Sequence, residues 1–362
     1  MNTGQENVSI SAAKLKKVLR DPVKTAKAVN LVYVRDSQHG ITRKRKGTHF
    51  SYWLDGTLIK EKSIINRIKK LVIPPAWENV WISIIDNGHL QATGLDSKKR
   101  KQYHYHPSWN ALRNKTKFYR LLEFGNILPK IRLQLERDLT LSGLPFDKVM
   151  ALIVSVMERT NIRIGNSIYK KMNGSVGIST LNDKHVKIKG SVARFTFVGK
   201  KGISHDITLE NRKLATLVKR CKDIPGQELF QFIDDDGQRH SVDSGMVNQY
   251  IHKISGGDFT AKDFRTWGGS VNAILAFKEA GFFNTLTETK KTIIQVLDKV
   301  SVKLGNTRMV CKKYYVHPVI LSLYENKGLE KYMDELDQIE VDDNHSGLTA
   351  SEKVLLKLLE TN

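Results

Sequence analysis

The sequence predicts an α+β protein with a β-rich N-terminal domain and a mostly α-helical second domain that contains a small β-sheet. Residues 30–106 carry short runs of β-branched and aromatic residues separated by turn signals, which is typical of strands. After Pro107 the apolar residues recur at helical intervals. One stretch, 186–208, returns to alternation and predicts the small sheet within the helical part.

We divide the 362 residues into four segments. Residues 1–29 are a polar lead-in, 30–106 the β-rich domain, 107–330 the larger domain, and 331–362 an acidic linker with a C-terminal helix. The acids are concentrated at 334–343, which we interpret as an exposed linker. At roughly 100–200 residues per domain, the length allows two or three domains.

In the β-rich domain we expect strands arranged around one clear hairpin signal, Asp86-Asn87-Gly88. A segment with helical spacing at 63–71 should end before Pro74-Pro75. The predicted strands are 32–34, 49–53, 80–85 and 89–93.

In the larger domain, helical spacing at 110–136 is interrupted near Gly125 and Pro129, so we expect a break there. A long helix should follow Pro145, with Asp147 as its N-cap. Further helices are predicted at 287–303 and 309–326.

The small sheet should contain strands at 186–189, 194–198 and 203–208, with a tight turn at 199–202. Thr260 and Asp263 have the spacing of a capping box at a helix start. Thr349 and Glu352 repeat that spacing before a last helix. We expect the apolar face of this helix to dock on the body of the protein or on a neighbour.

The charge predicts a polyanionic partner. Lys and Arg number 59 against 37 Asp and Glu, which gives a net charge of +22 and a pI near 9.8. This is the electrostatic footprint of a nucleic-acid binder. Basic clusters lie at 43–46 and 98–101, and aromatic residues follow the second cluster at 103 and 105.

Several classes of protein are disfavoured. The longest mostly apolar run, 149–157, is far shorter than the ~20 residues of a membrane span, and the N-terminus lacks a secretory pattern. Two cysteines, Cys221 and Cys311, argue against a disulfide framework and fit a reducing cytoplasm, with nucleoid association if the source is bacterial. P-loop, His-Glu-x-x-His and Cys-x-x-Cys motifs are absent from the sequence, so we expect neither a nucleotide-driven engine nor a metal site.

The polar residues that remain as candidates for chemistry are mostly cationic. Each has an ordinary structural explanation when taken alone, such as a helix cap, a turn lysine or a packed tyrosine. The signal therefore lies in their combination and order. The candidates are Arg163, Lys200, Arg265, Asn306 and Tyr315.

Together with their flanking residues, these candidates resemble the type IB DNA topoisomerases, of the compact kind found in bacteria and poxviruses. The resemblance runs from about residue 30 to about residue 325. In the second domain the matching motifs are IRIGN (162–166), SVGISTLNDKH (175–185), FTFVGK (195–200), FRTW (264–267) and YVHP (315–318). In the first domain they are IPPAW (73–77), QATG (91–94) and RKQYHY (100–105).

The resemblance implies a covalent mechanism. Tyr315 would attack a DNA phosphodiester, form a 3′-phosphotyrosyl bond and release a 5′-hydroxyl. Arg163 and Arg265 would hold the phosphate oxygens and stabilise the charge of the transition state. Lys200 would protonate the leaving oxygen, and Asn306 would donate a hydrogen bond to the phosphate.

The resemblance also implies how the protein meets its substrate. Neither ATP nor a metal is required for the chemistry, and supercoils of either sign relax. A monomer would close on double-stranded DNA as a C-shaped clamp, its helical catalytic part having the fold shared by tyrosine recombinases and type IB topoisomerases. The DNA-contacting residues would be Arg100, Gln102, Tyr103 and Tyr105.

Some positions depart from the family pattern or leave alternatives. Viral and eukaryotic members carry histidine where this chain has Asn306, and an amide donates a hydrogen bond but does not titrate. Leu95 stands where bacterial relatives often have arginine. Tyr314 is a rival nucleophile, although the spacing from Asn306 favours Tyr315. We interpret His185 and His205 as structural residues or backbone-phosphate contacts.

Two other functions remain open from the sequence. A tyrosine recombinase or integrase shares this chemistry but usually carries a helical N-terminal domain, whereas this chain has a β-rich one. A non-catalytic architectural DNA-binding protein would explain the charge but not the ordered polar residues. Relaxation of a plasmid that lacks a defined site distinguishes all three.

Overall fold

A computed structural model of the chain describes residues 21–47, 49–97, 99, 101–338 and 346–361. The chain divides into two units, Met1–Lys117 and Phe118–Asn362, and the division falls inside the helix α3, Pro107–Asp138. The predicted domain boundary, near residue 106, lies instead where that helix begins. Within the described residues, no helix is both long enough and apolar enough to cross a membrane.

The first unit is built on a six-stranded antiparallel sheet in the order β3-β2-β1-β4-β5-β6. Its core consists of Ile41, Ile68, Val80, Ile82 and Ala92. The strands are β1 Ile41–Lys46, β2 His49–Leu54, β3 Thr57–Leu58, β4 Glu78–Ile82, β5 Leu90–Leu95 and β6 Lys101–Tyr105. The helices are α1 Pro22–Lys27 and α2 Lys62–Lys70, followed by α3.

Two strand predictions in this unit are wrong in part. Residues 32–34 form only an isolated bridge between Val32 and Gly88. Strand β4 ends at Ile82, because the carbonyls of Ser83 and Ile85 accept hydrogen bonds from the Arg67 side chain, at 2.6 and 3.4 Å, instead of from a neighbouring strand. The predicted strands at 49–53 and 89–93 and the helix at 63–71 are confirmed within a residue or two.

The second unit is mostly helical and buries one large apolar core. Its helices are α4 Phe146–Thr160, α5 Ser167–Asn173, α6 Arg212–Lys222, α7 Ser244–Ser255, α8 Ala261–Ala280, α9 Leu286–Leu304, α10 Arg308–Tyr314, α11 Pro318–Glu325, α12 Glu330–Gln338 and α13 Ala350–Thr361. The mixed α and β content agrees with the predicted α+β class.

Helix α3 runs without a break through Gly125 and Pro129, so the predicted interruption is wrong. The apolar residues of this stretch, Phe124, Leu128 and Ile131, are fully buried. Their burial stabilises the helix by more than the roughly 3 kcal/mol that an internal proline costs.

Other boundaries also differ from the prediction. Helix α4 takes Pro145 as its N-cap, and Asp147 lies in the first turn, where a carboxylate favours the helix dipole. The acidic stretch is helical as far as Gln338, because Tyr332 and Met333 of α12 are buried. The rest of the predicted linker, 339–343, lies outside the described residues.

The predicted helix at 309–326 is two helices, α10 and α11. The break falls at Tyr315, whose φ of −129° lies outside the helical range. Pro318 opens α11, and His317 Nδ1 caps it by accepting from Val319 N–H at 3.2 Å. The break presents Tyr315 at a helix end.

The small sheet consists of β7 Val186–Lys189, β8 Val192–Val198 and β9 Ser204–Glu210 in sequential antiparallel order, as predicted. A separate two-stranded ladder, β10 Gln231–Ile233 with β11 Arg239–Ser241, was not predicted. Both capping predictions are confirmed. Asp263 accepts from Thr260 N–H at 2.8 Å, and Glu352 accepts from Thr349 N–H at 2.9 Å.

Candidate active site

Arg163 lies in the non-helical segment that follows α4. Asn161 ends that helix in the left-handed conformation, with φ of 55°. The carbonyl of Arg163 accepts from Ile178 N–H at 2.7 Å, which holds the backbone in place. Its Nη2 donates to the Gly305 carbonyl at 2.7 Å and to Asn306 Oδ1. Burial, and next the charge of Arg265, lower the pKa of Arg163.

Arg265 is the most deeply buried of the predicted site residues, with 4% of its surface exposed. Its Nη1 donates to the Asn161 carbonyl, and its Nη2 donates to the Leu304 carbonyl at 2.9 Å. Its Nε finds no hydrogen-bond partner among the described residues. Burial lowers the pKa of the guanidinium.

Tyr315 lies beside Arg265, with 5.1 Å between the guanidinium carbon and the centre of the tyrosine ring. Its carbonyl accepts from Ser270 Oγ at 3.3 Å. A Cβ added at Gly269 would lie 2.6 Å from that carbonyl oxygen, so α8 approaches Tyr315 closely only because it has glycine there. Tyr315 is therefore held against the helix that carries Arg265.

Lys200 lies in the turn between β8 and β9. The Gly199 N–H donates to the Ile203 carbonyl at 2.8 Å, which closes the turn, and Lys201 has a left-handed φ of 65°. The Lys200 side chain is exposed and lines a cleft of about 160 Å³. Arg163, Asn306 and Tyr315 line the same cleft.

Asn306 follows the C-cap Gly305 of α9, and its backbone N–H donates to the Ser301 carbonyl at 2.9 Å. Its Oδ1 is engaged by Arg163, while its Nδ2 is buried and has no partner among the described residues. A buried donor without an acceptor is costly, so it favours a ligand that supplies one. The cleft thus presents an amide donor beside the cations.

His205 packs between two of the segments that form the site, which agrees with its interpretation as a structural residue. Its ring stacks on Phe197, with 4.8 Å between ring centres. Side chains added at Gly199 or Gly305 would collide with this ring, so His205 touches both the turn of Lys200 and the segment of Asn306. Its place early in β9, directly after the turn that carries Lys200 and across from Phe197, is the sequence signal that could have found it.

His185 is held differently. Its Nδ1 accepts from the Asn182 N–H at 2.9 Å in the short turn before β7, which fits the predicted structural role. Tyr314 is half-buried, lies within 5.3 Å of Lys313 Nζ, and does not line the cleft that contains Tyr315. Cys311 and Cys221 are buried thiols whose pKa values burial raises to about 11 and about 12.

The predicted DNA-contacting residues lie on β6 of the first unit. Tyr103 is 49% exposed and stacks with Tyr105, with 5.9 Å between ring centres, and Lys101 lies 5.6 Å from the Tyr103 ring. Gln102 Nε2 donates to Asp96 at 2.9 Å. Arg100 lies outside the described residues. Strand β6 therefore carries an exposed Tyr103 stacked on a half-buried Tyr105, beside a lysine that is paired with Asp36.

The site is rich in cations and poor in ligands for metals. No group of three or more His, Cys, Asp or Glu side chains with metal-binding geometry occurs in the described parts of the chain. Five predicted catalytic residues from five different segments converge, and they combine two guanidinium groups, an ammonium group, an amide and a phenol. This set can bind a phosphodiester and offer it a nucleophile.

The chain is similar to known DNA topoisomerases. A family model described as "Eukaryotic DNA topoisomerase I, catalytic core" matches residues 98–341, and one described as "Bacterial DNA topoisomerase IB, N-terminal domain" matches 49–96. DNA topoisomerase 1B of Acanthamoeba polyphaga mimivirus is 35% identical over 305 residues, which cover 80% of this chain and 90% of the relative. DNA topoisomerase 1B of Vaccinia virus is 25% identical over 255 residues, 70% of this chain and 77% of the relative. The chain therefore belongs to the type IB DNA topoisomerase family.

Proposed function

We propose that this chain relaxes supercoiled double-stranded DNA without ATP, by cutting and resealing one strand through a 3′-phosphotyrosyl intermediate on Tyr315. The observation that carries the proposal is the shared cleft of Arg163, Lys200, Asn306 and Tyr315, with Arg265 beside the tyrosine ring. The viral relatives named DNA topoisomerase 1B support the same reaction.

Tyr315 is the nucleophile in this proposal. Its hydroxyl oxygen attacks the phosphorus, the bond from phosphorus to the 5′-oxygen breaks, and the phosphate remains on the tyrosine. The same exchange runs backwards when the 5′-hydroxyl returns, so the energy of the broken bond is kept and ATP is not needed.

Arg163 and Arg265 supply the positive charge that the pentacoordinate phosphate requires. Each guanidinium is held by backbone carbonyls, which orient it without neutralising it. Prearranged cations of this kind stabilise the transition state more than they stabilise the ground state. They take the part that a divalent cation would otherwise play, so the proposed reaction proceeds in EDTA.

Lys200 is the general acid in this proposal. An exposed side chain on a tight turn can reach the leaving 5′-oxygen, and an ammonium group can give up a proton far more readily than a guanidinium can. Asn306 binds rather than titrates. Its unpartnered Nδ2 supports a hydrogen bond to a non-bridging phosphate oxygen.

The first unit would hold the duplex. In this proposal Arg100, Gln102, Tyr103 and Tyr105 contact the DNA, and the two units close on opposite faces of the duplex as a C-shaped clamp. A single copy of the chain is sufficient, because all five catalytic residues come from one unit. The cut strand can then rotate about the intact one.

The test is plasmid relaxation with EDTA and without ATP, comparing wild type with Tyr315→Phe and Tyr314→Phe. We expect wild type and Tyr314→Phe to relax negatively and positively supercoiled plasmid. We expect Tyr315→Phe to lose relaxation by at least about 10⁴-fold while it still binds DNA, because it lacks the attacking oxygen. On denaturing gels, the DNA that is covalently attached to the wild-type protein should be joined to it through the 3′ end of the cut strand.

Each other outcome points to a different function. Binding without any change in linking number, in wild type, would leave an architectural DNA-binding protein. Cutting and joining that requires a defined sequence and more than one protomer would indicate a recombinase. Loss of activity in Tyr314→Phe with retention in Tyr315→Phe would move the nucleophile by one residue.

A further inference from the structure

A buried ionic network joins the C-terminal helix α13 to the helices of the catalytic unit. The side chains of Arg132 and Glu352 are 14% and 8% exposed. Nη1 and Nη2 of Arg132 donate to the two carboxylate oxygens of Glu352 at 2.9 and 2.7 Å, which is a bidentate pair. Arg132 Nε donates to Glu158 at 2.8 Å. One guanidinium therefore links the last turn of α4 to the first turn of α13.

Glu352 also holds α8. Its Oε1 accepts from Trp267 Nε1 at 2.9 Å, and Trp267 is 3% exposed. The indole ring fits against Gly125 of α3, where an added Cβ would lie 2.5 Å from a ring atom. Burial raises the pKa of Glu352, but the hydrogen bonds and charge of Arg132 outweigh it, and the net pKa is lowered. The carboxylate is thus charged and fully engaged.

The elements tied by this network are the ones that hold Arg265. On α8, Arg265 lies two residues before Trp267. At the end of α4, the Asn161 carbonyl that accepts from Arg265 lies three residues after Glu158. The Asn161 side chain also lies against Gly268, where an added Cβ would be 2.5 Å from its Oδ1. Through Glu158 of α4 and Trp267 of α8, the pair of Arg132 and Glu352 therefore links the same two helices that the hydrogen bond between Arg265 and Asn161 joins.

Attachment of α13 to the rest of the unit does not by itself explain why these charged residues are buried together. The apolar residues Val354, Leu355 and Leu358 of α13 are already fully buried. A buried ion pair seldom adds stability beyond what well-packed apolar residues provide, whereas it does specify one geometry. The region that matches the topoisomerase core model ends at residue 341, before this helix begins.

Building on the proposed function, we propose that Glu352 is a positioning residue for strand cleavage. Through Trp267 and the Arg132–Glu158 pair, it sets the distance between α8 and the end of α4, and so places the Arg265 guanidinium against the phosphate. The C-terminal helix is then a working part of the catalytic unit rather than an appended tail.

The first measurement is single-turnover cleavage at saturating enzyme, beside equilibrium DNA binding. We expect Glu352→Gln and Trp267→Phe to cleave about tenfold to a hundredfold more slowly, because a misplacement near 1 Å costs that much, with DNA affinity within about twofold of wild type. Trp267→Phe removes only the Nε1 donor and keeps most of the packing. Lys357→Gln on α13 is the matched control, since it breaks an exposed 2.7 Å pair between that helix and Glu335 of α12.

The second measurement repeats Glu352→Gln and Trp267→Phe in an Arg265→Ala background. If Glu352 acts through Arg265, either substitution should then slow cleavage by less than about twofold, because coupled residues are non-additive. Unchanged cleavage in both single variants, or the same penalty with and without Arg265, would overturn the proposal. Absence of cleavage by wild type would instead overturn the proposed function.

Discussion

At the scale of single residues, the site keeps its positive charge because its arginines are held by neutral groups. Arg163 donates to the Gly305 carbonyl and Arg265 to the Asn161 and Leu304 carbonyls. Neither forms an ion pair with a carboxylate in the part of the chain that the structure describes. A carboxylate partner would orient the guanidinium equally well but would cancel the charge that a phosphate needs.

His205 shows the electrostatic consequence of that arrangement. Burial, followed by the charges of Arg163 and Arg265, lowers its pKa below the usual 6.5. The folded state therefore favours the neutral ring. Stability that depends on this neutral ring is fully present above about pH 6.5 and is lost as the pH falls through the lowered pKa.

We predict that the free energy of unfolding of His205→Gln is lower than that of wild type at about pH 7.5, because stacking on Phe197 is lost. The difference in the free energy of unfolding between the two proteins should narrow at about pH 5.5. At that pH the wild type takes up a proton on His205 when it unfolds, which lowers its stability, and the variant has no such group. Urea unfolding of both proteins at the two pH values measures it. His185 and His106 also have lowered pKa values, but they are common to both proteins and cancel. A stability difference that is the same at both pH values would contradict a lowered pKa of His205 in the folded state.

At the scale of elements, the break between α10 and α11 delivers Tyr315 to the site. In a continuous helix, the Tyr315 carbonyl and the His317 N–H would be used within the helix. At the break, the Ser270 hydroxyl donates to the Tyr315 carbonyl at 3.3 Å and accepts from the His317 N–H at 3.1 Å. Gly269 supplies the space for this approach. The position of the nucleophile thus depends on the surface of α8 as well as on its own segment.

We predict that Gly269→Ala slows single-turnover cleavage by at least about tenfold, because its Cβ would meet the Tyr315 carbonyl oxygen at 2.6 Å and displace the nucleophile. DNA binding should change little. Leu275→Ala, at an exposed position of the same helix, is the control and should cleave as wild type does. Wild-type cleavage by Gly269→Ala would mean that Tyr315 is not held by this contact.

At the scale of the whole molecule, DNA binding by the surface charge of +22 and cleavage by the buried site should depend differently on salt concentration. Surface cations that contact phosphates release counterions on binding, so their contribution falls steeply with salt. Buried charges such as Arg265 are screened much less.

We therefore predict that DNA affinity falls by at least about tenfold between about 50 and 200 mM salt. The cleavage rate at saturating enzyme should change by less than about twofold over the same range. Fluorescence titration measures the DNA affinity, and single-turnover kinetics measure the cleavage rate. A flat salt dependence of affinity would argue against phosphate contacts as the main source of binding.

Much of this molecule could be predicted from local patterns. The three strands of the small sheet, the tight turn of Lys200 and the capping box of Thr260 depend on neighbouring residues, and all were found where expected. The continuity of helix α3 through Pro129 was not predicted, because the packing that stabilises the helix there involves residues distant in sequence. The break at Tyr315 was missed although a local signal exists, because Pro318 with His317 before it marks the start of a new helix.

Charge, motifs and spacing are properties of the chain, so the polyanionic partner, the family and the candidate site residues could all be inferred from them. Which groups orient those residues depends instead on how the helices and strands pack. The carbonyls that hold Arg265, the ring of His205 between two glycines, and the contact of Glu352 with Trp267 join segments far apart in sequence. Such contacts arise when helices pack, and no local pattern encodes them.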